Sequence, residues 1–382
     1  MISLFEKSVF DKKFQAGFED PKNRLLLAYL AYFGNLTFNK LKQVAKFYPD
    51  FESAVKDKFC ILQEQKIKSF AKTISVLDSK SIKSFKLELD KNQSNFVTFF
   101  DAGYPKSLVT FLSPPLILYY EGNIKLLSKK EWVTVVGARN SSHYSQIIIP
   151  KILQKCCRAG IGVISGMALG VDALAHKVCL ENKAKTIGVV GSGLDNQTFY
   201  PAQNLALKKR ALSEGGLILS EYPPKVSCNK FTFPRRNQIL AALSELTWVV
   251  EAGIKSGSLI TAQYANDLGK QVATTPVSIL EKNLAGNLNL LRQGAQIVTQ
   301  SEDIFRLLNL KFTPNPQTQA ELKLPTELEQ KIYDNLSLIP ISTQDLIEKS
   351  KVEFSDMIST LSLMELNGLV KNLDENTWVR TV

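Results

Sequence analysis

The ten residues Cys228-Asn229-Lys230-Phe231-Thr232-Phe233-Pro234-Arg235-Arg236-Asn237 hold three cations, two aromatic rings and an amide ahead of a helical pattern. That mixture suits a splayed single strand of nucleic acid, whose bases present π-faces and whose backbone presents charge. A basic surface loop pinned into a core by Phe231 and Phe233 has the same composition, so the stretch decides nothing alone. Three further loops carry comparable signals. In Gly137-Ala138-Arg139 a glycine permits a sharp turn, and an arginine follows that can reach an anion at the next helix N-terminus. Ser165-Gly166-Met167-Ala168-Leu169-Gly170-Val171-Asp172 lets a ligand approach the backbone closely, with Asp172 placed to cap the next helix. In Glu251-Ala252-Gly253-Ile254-Lys255-Ser256-Gly257-Ser258, the residues Ser256, Gly257 and Ser258 offer amides and hydroxyls to a phosphate.

Other chemistries are poorly provided for. There is no GxxxxGK[ST] phosphate loop, and the glycines of GVVGSG lack the dinucleotide spacing. No pair of carboxylates stands out as an acid and base. His143 and His176 are the two histidines, far apart in sequence, and His176 falls inside a helical pattern, where a packing role is expected. Five cysteines show neither a CxxC pair nor zinc spacing with histidine, so neither a metal nor a cofactor is expected.

The four loops gain weight from the elements that must carry them. From about residue 131 the runs WVTVVGAR, GVISGMA, KTIGVVGSG, GLILSEYP, LTWVVEAG and QVATTPV alternate with helical segments. Short β-branched runs of this kind read as strands buried on both faces of a mostly parallel sheet, which makes 96–310 a Rossmann-like α/β domain. Ligands of such sheets sit beyond the carboxyl ends of the strands, where all four loops fall. Residues 1–95 read as a helical domain with a helix-hairpin-helix-like turn around Gly34. The segment 311–325, with three prolines, reads as a linker, and 326–382 as a winged helix.

The chain has 382 residues and a net charge of +11, which suggests a polyanionic partner. The charge is unevenly spread. The winged-helix segment has ten acidic against five basic side chains, net −5, which leaves +16 on residues 1–325. Duplex binding by a winged helix requires cations on its recognition helix, and this one offers Glu353, Asp356 and Glu365, so a protein-contact or structural role is expected. MISLFEKSVFDKKF has scattered charges and no apolar run of signal length, and no spanning stretch follows; a cytoplasmic chain without membrane contact is expected.

Taken in order, VVGAR, SGMALGVDALAH, GSGLDNQTFYPAQN, SEYPP, FPRRNQILAALS and VVEAGIKSGSLITAQYA resemble the DNA-processing protein A (DprA, or Smf) family over about 95–305. The resemblance implies a non-enzymatic protein that binds and protects incoming single-stranded DNA and loads the RecA recombinase onto it in natural transformation. It also implies homodimers formed through the Rossmann-like domain. Residue by residue it places DNA contacts at Arg139, Lys230, Phe233 and Arg235-Arg236-Asn237. Gln238 stands where the family commonly has a further arginine, and Pro276-Val277 where it commonly has Pro-Gly. A rival is a nucleotide-cleaving hydrolase of related fold with a PGGxGTxxE motif, but Thr261 falls where its catalytic glutamate should be. A nucleotide sensor is a third reading.

Overall fold

The computed structural model describes residues 10–64, 70–92, 94–311, 326–337, 340–374 and 376–380. The chain divides into two compact units, one ending at Leu310 and one starting at Lys311. The expected linker lies, from residue 312 on, outside the described residues.

Among the described residues the first unit begins with seven short α-helices: α1 (Lys12–Ala16), α2 (Pro21–Tyr32), α3 (Phe38–Phe47), α4 (Phe51–Lys56), α5 (Cys60–Glu64), α6 (Ala71–Ser75) and α7 (Ser79–Lys91). Five of them begin at a side-chain cap supplied by Asp11, Asp20, Thr37, Asp50 or Asp78, each accepting a first-turn amide that would otherwise lack a partner. Their core is aromatic and continuous with the chain that follows. Phe18 stacks on Phe100 at 4.2 Å, and Phe10 and Phe38 meet Phe99 edge-on or tilted.

A nine-stranded sheet follows. Its strands are β1 (Asn95–Thr98), β2 (Ile117–Gly122), β3 (Trp132–Gly137), β4 (Gly162–Ser165), β5 (Thr186–Val190), β6 (Leu217–Ser220), β7 (Leu246–Glu251), β8 (Gln271–Thr274) and β9 (Gln296–Ile297), in the order β1-β2-β6-β5-β4-β3-β7-β8-β9. The pairings from β6 to β9 are all parallel, and the six runs expected from the sequence are β3 to β8. β1 and β2 add an antiparallel edge. Every residue of β4, β5, β6 and β7 is buried, as strands covered on both faces must be.

Helices α8 (His143–Arg158), α9 (Val171–Glu181), α10 (Leu205–Ser213), α11 (Thr232–Leu243), α12 (Gly257–Asp267), α13 (Ala285–Arg292) and α14 (Ser301–Leu307) supply the covering layers. On one face α8 packs against α9 and α14, and α9 against α10; α11 pairs with α12 on the other. The chain winds from β3 outward to β6 and then returns through α11 to β7 on the far side of β3. The strand order therefore reverses at β3, and the crevice at its carboxyl end is where a doubly wound sheet receives ligands.

The second unit holds α15 (Glu327–Asn335), β10 (Ile341–Ser342), α16 (Thr343–Ser350), α17 (Phe354–Leu366), β11 (Val370–Asp374) and β12 (Thr377–Arg380). This is a winged helix with its own core of Ile332, Leu346, Met357, Leu361 and Trp378.

Candidate nucleic-acid interface

The loop after β3 exposes Arg139 and then enters α8 through Ser142, whose hydroxyl accepts the Ser145 amide. The buried Glu251 carboxylate, from the end of β7, receives the amide of Ser142 and the hydroxyls of Ser142 and Ser145. The N-terminus of α8, where a first βα turn ordinarily seats an anion, already holds one.

After β4 the chain makes its glycine turn, with Met167 fully buried in the left-handed conformation at φ 55°. Gly170 is the N-cap of α9 at φ 74°, and a Cβ there would stand 2.4 Å from the Ala138 carbonyl oxygen, so only glycine fits. Asp172 does not cap α9 as the sequence suggested. It lies within the first turn and accepts the amides of Gly166 and Ala168, folding the loop back over the helix start. Asn204 fixes the other side by donating to the carbonyls of Met167 and Ala168.

Helix α11 brings in the remaining groups, and they separate into two kinds. Arg236 is buried, donating to the carbonyls of Gly166 and Val189 and to Asn237 Oδ1. Asn237 is buried too and donates to the Gly257 carbonyl at 3.2 Å, tying α11 to α12. Arg235 makes a two-point ion pair with Glu221. The polar atoms of this basic pair and its amide are thus engaged by the protein itself. Ser256 caps α12 by accepting the Ser258 amide, and the two hydroxyls lie 2.7 Å apart, with Gly257 exposed between them.

The open groups are Arg139, Lys230 and the ring of Phe233. Arg139 Cζ lies 5.0 Å and Arg236 Cζ 5.9 Å from the centre of the half-buried Phe233 ring, which also meets Tyr200 at 6.0 Å in a T-shaped contact. Arg139, Gly166, Ala168, Phe233 and Arg236 line one small pocket together with Leu169, Gly191 and Tyr200. Lys230 is exposed on the preceding turn, its ammonium 5.1 Å from the centre of the Phe231 ring, and that ring is 72% exposed. Neither Arg139 nor Lys230 has an ion pair among the described residues.

Electrostatics sharpen the distinction between the two arginines. Burial disfavours the charge on Asp172 and on Arg236; each partly restores the other, while the nearby Arg139 charge further disfavours the Arg236 cation. Asp172 balances one of two neighbouring guanidinium groups, leaving an uncompensated positive charge at the pocket mouth. A negative charge placed beside Arg139 would offset its repulsion with Arg236.

Tyr200 and the anchoring role of Glu251 were not read as part of the site. The tyrosine had a visible signal, an aromatic residue before a proline in a strand-end loop. His176 does not line the pocket; it is buried in α9 with Nδ1 2.6 Å from Thr186 Oγ1, and burial lowers its pKa to about 3. Among the described residues no cluster of His, Cys, Asp and Glu is placed to hold a metal, and no helix is long and apolar enough to cross a membrane.

The fold is a doubly wound, mostly parallel α/β sheet with an exposed arginine 5.0 Å from the centre of an aromatic ring at its reversal point, an arrangement of the kind that suits anions and flat rings. The comparisons with known proteins make the class specific. Residues 95–309 match the family described as DNA recombination-mediator protein A, and 313–376 match the DprA winged helix domain. The chain belongs to this DprA/Smf family. It is 37% identical over 213 residues to the DNA processing protein DprA of Bacillus subtilis, covering 55% of this chain and 71% of that one. The X-ray structure of DNA processing protein A from Streptococcus pneumoniae aligns with a TM-score of 0.57 at 34% identity, over 64% of this chain and 83% of that one. A structure of the Helicobacter pylori protein, described as giving insight into its single-stranded DNA binding mode, aligns with a TM-score of 0.51 at 29% identity, over 57% and 96% of the two chains.

Proposed function

We propose that this chain binds single-stranded DNA across the strand-end loops of its sheet, with Arg139 and Lys230 at phosphates and Phe233 against a base. The observation that carries the reading is the pairing of an exposed, unpaired guanidinium with an aromatic ring 5.0 Å away. It joins phosphate attraction and base stacking in one place. Gly257, Ser256 and Ser258 extend the polar surface at the start of α12, and Gly166 and Ala168 supply the loop backbone beside it. Met167, Arg235, Arg236 and Asn237 act as positioning residues that hold these loops in place.

In the same reading the protein protects incoming strands in natural transformation, hands them to the RecA recombinase, and performs no catalytic step. Thr261 is buried where the rival hydrolase would need a carboxylate, which leaves that chemistry without a base. Working as a homodimer fits the exposed apolar side chains Ile254, Ile279, Leu280 and Ile297 at or just beyond the carboxyl ends of β7, β8 and β9. A monomeric mass in solution would contradict the dimer. Recombinase nucleation on coated strands that is no faster with this chain present would contradict the hand-off.

The test of the binding reading is a gel-shift titration of the full chain with single-stranded and duplex DNA of one sequence over a salt series. Tighter binding of the single strand, weakening as salt rises, is expected. Equal or stronger binding of the duplex would overturn the assignment to a stacking site.

A further inference from the structure

A groove lies at the opposite end of the sheet, between residues 102–107, residues 124–130 and the end of α11. Trp132, at the start of β3, lines it, whereas Arg139 follows the far end of the same strand, about 20 Å away along six residues. It encloses about 840 Å³, room for several side chains of a partner.

Lys106, Lys125, Lys129 and Lys130 stand on its lining, and none of them has an ion pair among the described residues. The one carboxylate on the lining, Glu245, already receives Lys270, whose ammonium also donates to the Ala242 and Ser244 carbonyls at the end of α11. Among the described residues the lining thus sets four lysines against one carboxylate that is already shared with Lys270.

Between the lysines the floor is apolar, with Ile124, Leu127 and Leu243 half-buried along it. Its aromatic residues, Tyr104 and Trp132, are only 4% and 1% exposed, so no ring presents a face on which a base could stack. This groove therefore differs in kind from the Arg139 pocket. Lys129 donates to the Gly160 carbonyl and lies 5.3 Å from the centre of the Trp132 ring, which leaves Lys106, Lys125 and Lys130 as the freer cations. An apolar floor bounded by cations without ion pairs complements a segment that carries apolar side chains on one face and carboxylates beside them.

We propose that the groove docks an acidic amphipathic segment of a partner protein, its apolar side chains over Ile124, Leu127 and Leu243 and its carboxylates at the lysines. The probe is a fluorescein-labelled synthetic peptide of Glu and Leu arranged with one apolar helical face, titrated with the full chain beside polyglutamate of equal charge and labelled oligothymidylate. The amphipathic peptide is expected to bind, and the combined change Lys125→Glu and Lys130→Glu to weaken it by about tenfold or more while leaving oligothymidylate binding unchanged. Both lysines are exposed, so this variant keeps the fold. Leu127→Asn is expected to weaken the peptide as well. No binding of the peptide, or equal binding of polyglutamate, would overturn the proposal. So would a double variant that loses oligothymidylate and keeps the peptide, because the groove would then be a nucleic-acid surface.

Discussion

Two guanidinium groups line one pocket in different surroundings, Arg236 buried and held by carbonyls, Arg139 exposed. Arg139 is exposed and unbalanced, so Arg139→Ala is expected to weaken single-strand binding regardless of base sequence and to reduce the salt slope by about one. Lys230→Ala should do the same from the neighbouring turn. Unchanged slopes in both variants, read from titrations at several salt concentrations, would remove the proposed single-strand site at the strand-end loops. Phe233→Ala is expected to cost about 1–3 kcal/mol of binding if a base stacks there. A fall in melting temperature with normal binding by the folded fraction would instead make Phe233 a core anchor. His176 offers a separate residue-scale test. Its folded pKa of about 3 lies below the ordinary 6.5, so the unfolded chain takes up a proton that the folded chain refuses. The stability this confers is present above pH 6.5 and is lost as pH falls from there toward 3, with a limiting slope of about 1.4 kcal/mol per pH unit. Denaturant midpoints between pH 6.5 and 5 should fall for the parent and stay flatter for His176→Gln.

At the scale of elements, the junction of the β4 turn with α11 holds the site open. A Cβ on Gly166 would stand 2.1 Å from Arg236 Nη1 and 2.6 Å from Asp172 Oδ2, and Arg236 cannot retreat because two carbonyls hold it. Gly166→Ala is expected to destabilise the fold by about 1–3 kcal/mol, measurable as a shifted denaturant midpoint. That junction also shows what a sequence reveals and what it conceals. The strands β3 to β8 were legible because burial on both faces demands unbroken apolar runs, and the four loops were legible because they end those runs. β1 and β2 were not read. Asn95–Thr98 is short, and Ile117–Gly122 ends in polar residues with only a single 3-10 turn, Lys106–Leu108, before it and no crossover helix. Arg235, Arg236 and Asn237 read as one basic cluster in sequence, but neighbouring positions on a helix point in different directions. Their separation toward Glu221, the Gly166 turn and Gly257 depends on how α11 lies across the sheet, which no local pattern encodes.

For the molecule as a whole, charge is divided between the two units. In the winged helix, α17 has no lysine or arginine and exposes Phe354, Leu363 and Leu366 beside Asp356 and Glu365. Those side chains suit contact with protein better than with phosphates. Deleting 326–382 is therefore expected to leave single-strand affinity nearly unchanged in the same titration, and a large loss would show that the acidic unit takes part in binding. The carboxylate of Glu251 at the head of α8 has a wider meaning. Cells hold free nucleotides in abundance, and an open anion seat in a sheet of this topology would fill with them. With that seat taken by the chain's own side chain, the head of α8 offers a monomeric phosphate no free amide of Ser142. On the proposed binding reading, affinity then comes from what a monomer lacks, a run of phosphates and bases long enough to span several loops at once.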